Sequence, residues 1–260
     1  PDLVSRVRSR EGFFWTERAG ENEGEEDVLA KWVDLLIEKA IGGDIEAKWD
    51  LFRSCELEVR DNERLFVIGD IHECVDELTR LVEAVGKQCE DKKLLLVLVG
   101  DFLDKGGETA KIIDLVHHLV IGCGALILQS NHEAYVVRRI LGELKTFAED
   151  EQRDFSSVDF LMQPESGPWR NKLLEIWARA VPFYQVMDEA GSNPVYLTHA
   201  PCELKFLGKV SLEAIKAQRN YRTEGVISSE QDQHDTLGWL YSQSSKGLPP
   251  HVFGHVASFP

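Results

Sequence analysis

Short unbroken apolar runs alternate with helix-patterned stretches through most of this chain. Leu65 to Ile68, Leu94 to Val99 and Leu126 to Leu128 are rich in Leu, Val and Ile, the pattern of strands buried on both faces. Between them, Asp76 to Val85 and Thr109 to Val120 read as crossover helices. Each run ends in a polar cluster: Gly69-Asp70-Ile71-His72, then Gly100-Asp101-Phe102-Leu103-Asp104-Lys105-Gly106, then Asn131-His132-Glu133. Asp70 and Asp101 are 31 positions apart and Asp101 and Asn131 are 30, about one strand-helix-strand unit, so three parallel neighbours are expected to bring their C-terminal tips to one rim. Two further strand-like runs, Pro194 to Pro201 and Val252 to Val256, contain His199 and His255.

The flanks read differently. Residues 1–27 form a polar arm with an acid-rich stretch from Glu21 to Glu26, and Val28 to Ile41 carries a broad apolar stripe expected of a helix. Gly42-Gly43 stops it, and a second helix led by Asp44 runs through Phe52. The boundaries expected are 1–61 for this arm and helical appendage and 62–260 for the main domain. The appendage either packs on the core or offers its apolar face to a protein partner. Within the main domain Ala134 to Phe147 and Asn171 to Ala180 read as helices, so 134–185 is expected as a helical insertion covering the rim as a lid. Its Arg138, Arg139, Phe155, Trp169 and Arg170 either touch a bound group or serve as packing and surface.

Composition narrows the classes. With 260 residues, 43% hydrophobic and 28% charged, the chain can bury a sizeable core. No stretch approaches the ~20 apolar residues of a membrane span. The five cysteines, at 55, 74, 89, 123 and 202, lack zinc or disulfide spacing, which points to reduced thiols and a cytoplasmic or nuclear setting, with cytoplasmic the expectation. The chain starts at Pro1 rather than Met, as in a fragment or processed chain. Its 45 acidic against 29 basic residues give a net charge of -16, which disfavours binding of extended nucleic acid.

The polar clusters suggest metal chemistry. Asp70 and His72, two apart on one face of an extended segment, are suited to chelate one cation. Asp101, with two carboxylate oxygens, could bridge that cation and a second, to which Asn131, His199 and His255 would add neutral ligands. His132 would then be free to protonate a leaving oxygen, oriented by Asp104. Such a pair of cations clamps a phosphoryl group and activates water. The mixed imidazole and carboxylate set suits Mn, Fe or Zn.

The order G-D-x-H, G-D-x-x-D-x-G, N-H-E, H-A and G-H resembles the calcineurin-like metallophosphoesterases of the phosphoprotein-phosphatase superfamily over about residues 64–260. The resemblance implies an α/β (α+β) fold with a central β-sandwich flanked by helices. It further implies metal ligands Asp70, His72, Asp101, Asn131, His199 and His255, and an acid pair His132 and Asp104. Cys74 and the Val75-Asp76-Glu77-Leu78 that follows are closer to the branch related to diadenosine tetraphosphate hydrolases. Four positions depart from the family pattern: Glu73 stands for Gly, Lys105 for Arg, and Gln129-Ser130 for Arg-Gly. A lysine offers a point charge where arginine offers a fork, so phosphate grip at these positions is expected to be weaker. Arg219 and Arg222 are candidates to replace it, and Lys105, Asn131 and Arg222 are the expected substrate contacts.

The leading expectation is hydrolysis of a phosphomonoester or phosphoanhydride by a hydroxide held between two divalent ions. The substrate would be a nucleotide polyphosphate, polyphosphate, RNA end or phosphoprotein. A Ser/Thr phosphoprotein phosphatase and a catalytically weak pseudophosphatase serving as a binding module are the alternatives.

Overall fold

The computed structural model describes residues 55–89, 91–140, 155–188, 191, 194–202, 205–220 and 250–254. The expected N-terminal arm and its two helices, the middle of the 134–185 insertion, Arg222 and His255 lie outside the described residues. The strands are β1 (Glu56–Val59), β2 (Glu63–Ile68), β3 (Lys93–Leu98), β4 (Leu126–Ile127), β5 (Phe183–Asp188), β6 (Val195–Thr198) and β7 (His251–Phe253). The α-helices are α1 (Val75–Gln88), α2 (Thr109–His117), α3 (Asn131–Ile140), α4 (Ser156–Leu161), α5 (Gly167–Trp177) and α6 (Leu212–Asn220).

Strand β3 is apolar beyond its first residue because both of its faces are covered: Leu94 through Leu98 are each at most 3% exposed. Successive side chains point to opposite faces of a strand. Leu94, Leu96 and Leu98 therefore join Ile112, Ile113, Val136 and Trp177 of the helices, whereas Leu95, Val97 and the following Val99 meet Leu57, Phe183 and Leu197 of a second sheet. Burying one such leucine contributes roughly 1.5–3 kcal/mol. Strands β2 and β4 flank β3, both parallel to it, which aligns the three tips. The second sheet runs β1-β5-β6-β7, with β1 parallel to β5, β5 antiparallel to β6, and β6 parallel to β7. Together these layers make the expected β-sandwich flanked by helices, tied at one edge by a bridge between Leu128 and Val181.

Several boundaries differ from expectation. Helix α3 begins at Asn131 rather than Ala134, so the Asn-His-Glu cluster is its first turn. The Ala134 N–H bonds the Ser130 carbonyl at 3.2 Å. The helix expected to reach Val120 ends at His117 and passes into a π-helical turn, His118–Gly122, closed by the Cys123 N–H on the His118 carbonyl at 3.0 Å. Helix α5 spans Gly167–Trp177 instead of 171–180, with Pro168 in its first turn, where a missing N–H costs nothing. Strands β1 and β5 were not anticipated. Strand β1 lies N-terminal to the expected 61–62 boundary yet pairs with β5, and β5 begins inside the 134–185 segment expected to be a lid. Helices α3, α4 and α5 also bury Val136, Val158, Leu161, Leu173 and Trp177 in the core shared with β3.

Candidate active site

All five non-glycine residues with positive φ among those described are in the first two loops: His72 (44°), Glu73 (61°), Asp101 (49°), Asp104 (68°) and Lys105 (72°). Each such conformation costs of order 1–3 kcal/mol and persists only where its surroundings impose it. Two buried carboxylates hold the second of these loops. Glu133 accepts the N–H groups of Asp101 (2.9 Å), Phe102 (3.0 Å) and Leu103 (3.0 Å), and also the Ser130 hydroxyl. Glu73 accepts the Asp104 N–H (3.0 Å), the Glu108 N–H (2.8 Å) and the Thr109 hydroxyl (2.7 Å). Burial foremost, then the Asp101 charge, pushes the Glu133 carboxyl well above the usual range, against the lowering effect of its N–H donors. Gly100 lets the second loop pass β4, since a Cβ there would sit 2.6 Å from the Ser130 Cβ.

Asp101 is the centre of the constellation. His199 Nε2 lies 3.4 Å from its Oδ1, and His72 Nε2 lies 3.9 Å from its Oδ2. Both imidazoles are oriented through their other nitrogen: Nδ1–H of His72 donates to the Leu103 carbonyl and that of His199 to the Val99 carbonyl, each at 3.0 Å. This leaves Nε2 to carry the lone pair toward Asp101, the arrangement that prepares a histidine for a metal. Asn131 Oδ1 faces His199 Nε2 at 3.0 Å.

The donor set around Asp101 suits a cation. His199 Nε2, Asn131 Oδ1 and Asp101 Oδ1 converge as lone-pair atoms, a set that a proton or a metal ion would bridge. Burial pulls the His199 pKa down, yet Asp101, with a further contribution from Asp70, outweighs it and the net shift is upward. On the other side the Lys105 ammonium stands 3.1 Å from His72 Nε2. His72, Asp101 and His132 offer ligand atoms within 4.8 Å of one another. These residues fit divalent ions.

His132 belongs to this space through Nε2, 3.8 Å from Asp101 Oδ2. Its Nδ1–H donates to Asp104 Oδ2 at 2.6 Å, and Asp104 is fully buried. The other oxygen, Asp104 Oδ1, accepts the Ser157 N–H at 2.8 Å and the Ser157 hydroxyl at 2.6 Å. Phe155 lies 4.9 Å from His132, ring centre to ring centre, and stacks on Tyr135 at 4.2 Å.

Of the expected site residues, His72, Asp101, Asn131, His132, Asp104, Lys105 and His199 come together around one carboxylate. Asp70 sits at the rim, where a Cβ on Gly254 would fall 2.2 Å from its Oδ1. Gly254 also donates its N–H to the His199 carbonyl at 2.9 Å, so β7 ends beside the site even though His255 and Arg222 lie outside the described residues. Glu73 is buried and turns its carboxylate into the second loop. Gln129 is fully buried and donates its amide to the Ala180 carbonyl at 3.3 Å. Arg170 is engaged with the Leu161 and Gln163 carbonyls at 2.6 and 2.7 Å. Sequence reasoning missed Ser157, which carries no motif. All five cysteines are reduced, and no described helix is long and apolar enough to cross a membrane.

Comparison with known proteins adds to the geometry. The profile of the calcineurin-like phosphoesterase family matches residues 63–256. A bis(5'-nucleosyl)-tetraphosphatase PrpE [asymmetrical] of Geobacillus thermodenitrificans is 28% identical over 198 residues, 73% of this chain and 77% of that protein. A Bacillus cereus protein of the same name is 25% identical over the same shares. Among solved structures, a protein serine/threonine phosphatase from Saccharomyces cerevisiae with similarity to human phosphatase PP5 matches 67% of this chain at a TM-score of 0.34 and 17% identity. The match spans about half, 49%, of that yeast chain.

Proposed function

The chain belongs to the calcineurin-like phosphoesterase family, and from that premise we propose that it hydrolyses a phosphoanhydride or phosphoester bond of a nucleoside polyphosphate, using two divalent ions that residues around Asp101 would hold. The observation that carries this reading is the placement of His72 and His199 on opposite oxygens of the Asp101 carboxylate. The substrate class is drawn from the tetraphosphatase relatives.

Asp70 and His72 would hold one ion, Asn131, His199 and His255 the other, and Asp101 both. When bound, the ions supply Lewis acidity toward the phosphoryl oxygens and an activated water. Lys105 would steady a non-bridging phosphate oxygen with its ammonium, and Arg222 would add a second cationic contact. His132, held through Nδ1 by Asp104, would give its Nε2 proton to the departing oxygen. The Leu103 and Val99 carbonyls keep His72 and His199 turned toward Asp101, so little reorganisation precedes reaction.

The test is a substrate panel with Mn²⁺, Fe²⁺ or Zn²⁺: diadenosine tetraphosphate, inorganic polyphosphate, 5'-triphosphate RNA and phosphoserine peptide. Fastest turnover of diadenosine tetraphosphate, abolished by chelator and restored by metal, is expected. Preference for the phosphopeptide would replace the substrate assignment with that of a phosphoprotein phosphatase. No turnover of any substrate with metal bound would favour a binding module.

A further inference from the structure

We infer that Ser157, at the start of α4, is a positioning residue for the His132 general acid, acting through Asp104. The inference rests on the reading of His132 as the acid. Asp104 has no exposure, and a buried carboxylate without donors is costly. Its described side-chain donors come from two places. His132 Nδ1–H occupies Oδ2, while the Ser157 N–H and hydroxyl together occupy Oδ1. Ser157 is itself fully buried, so its hydroxyl is committed to this contact rather than to solvent.

The geometry makes this more than packing. Asp104 sits at a φ of 68°, a conformation disfavoured for a non-glycine residue, and its carboxylate direction is fixed by what grips its oxygens. Two donors on Oδ1 hold the plane of the carboxylate so that Oδ2 meets Nδ1 at 2.6 Å and Nε2 is aimed toward Asp101. The same turn supplies a second constraint. Phe155 sets its ring against the imidazole at 4.9 Å, backed by Tyr135. A segment 53 positions from Asp104 in sequence thus fixes the direction in which His132 offers its proton.

In the step concerned, a water oxygen bonds to phosphorus as the bond to the leaving oxygen breaks. The leaving oxygen takes the Nε2 proton of His132, and the attacking water releases a proton to solvent, from which His132 is later reprotonated. Proton donation matters most when the leaving oxygen is strongly basic. A misaligned acid therefore slows poor leaving groups and spares good ones. A residue needed only for folding would slow all substrates alike.

The experiment compares the metal-loaded wild type with Ser157→Ala, Ser157→Thr and His132→Ala on a series of aryl and alkyl phosphate esters spanning good to poor leaving groups. Ratios of kcat/KM between substrates do not depend on the fraction of folded enzyme, so a partly unfolded variant remains informative. Expected for Ser157→Ala is a loss of about tenfold on the poorest leaving group and under about twofold on the best, with Ser157→Thr restoring the wild-type slope. His132→Ala should show the same dependence more steeply. A uniform or absent loss in Ser157→Ala beside a steep His132→Ala would overturn the role of Ser157 and leave the acid in place. A flat His132→Ala profile would remove the acid itself, and the inference with it.

Discussion

His199 Nε2 stands 3.4 Å from Asp101 Oδ1, while the other oxygen of that carboxylate faces His72 Nε2 at 3.9 Å. The imidazoles come from strand tips in different sheets, β6 and β2, so the sandwich itself brings them to one aspartate. Converting Asp101 to Asn puts an N–H₂ group against one imidazole and removes the shared charge. Phosphate release from diadenosine tetraphosphate should fall at least about 100-fold, and elemental analysis should find less than the wild-type metal content.

His132→Ala separates two uses of one imidazole. His132 Nε2 lies near the same Asp101 oxygen as His72, so it is placed either to ligate or to donate a proton. With Nδ1 tied to Asp104, proton donation is the expected use. The variant should keep its full metal content in elemental analysis while kcat on a phosphoanhydride drops by about 10²–10⁴. Loss of metal would instead make His132 a ligand.

Glu73 occupies a position where the family pattern has Gly, and it does so at a φ of 61°. Glycine there would relieve the backbone strain but strip donors from the turn: the Asp104 and Glu108 N–H groups and the Thr109 hydroxyl would lose their acceptor. The loss outweighs the relief. Urea unfolding of Glu73→Gly should give a stability lower by about 1–3 kcal/mol. A more stable variant would contradict the role assigned to this carboxylate.

His251 provides a pH dependence outside the cluster around Asp101. The Thr198 hydroxyl donates to the Ala200 carbonyl at 2.6 Å and so accepts from His251 Nε2–H at 2.6 Å, leaving Nδ1 as a buried lone pair. Burial lowers the pKa from 6.5 to about 4. Between these values the unfolded chain binds the proton and the folded one does not. Stability is therefore fully present above about pH 6.5 and declines as the pH falls toward 4. Metal-free urea unfolding from pH 7 to 4.5 should show a smaller acid-side loss in His251→Gln than in the wild type.

Much of the candidate constellation was legible because buried strands advertise themselves as unbroken apolar runs and the first polar residues after them fall on the rim. Leu94 to Val99 marked β3, and Asp101 followed. What escaped lacked such contrast. Strand β1 is only Glu-Leu-Glu-Val, with charges on alternate positions, and β5 mixes Gln and Asp into a short run. Glu73 could not be aimed from sequence because its direction depends on backbone torsions that only the packed loop imposes. Ser157 was illegible for a different reason: a serine near a helix start is ordinary local chemistry, and its partner is a residue 53 positions away.

The most direct test is the electron paramagnetic resonance spectrum of the Mn²⁺-loaded protein, taken with elemental analysis of the same sample. Two ions about 3.5–4 Å apart on a shared carboxylate give the multiline signal of an exchange-coupled pair, with two equivalents of metal per chain. That spectrum is the expected result, and Asp101→Asn should abolish it. An isolated-ion signal at one equivalent, unchanged at saturating metal, would contradict a bridging Asp101.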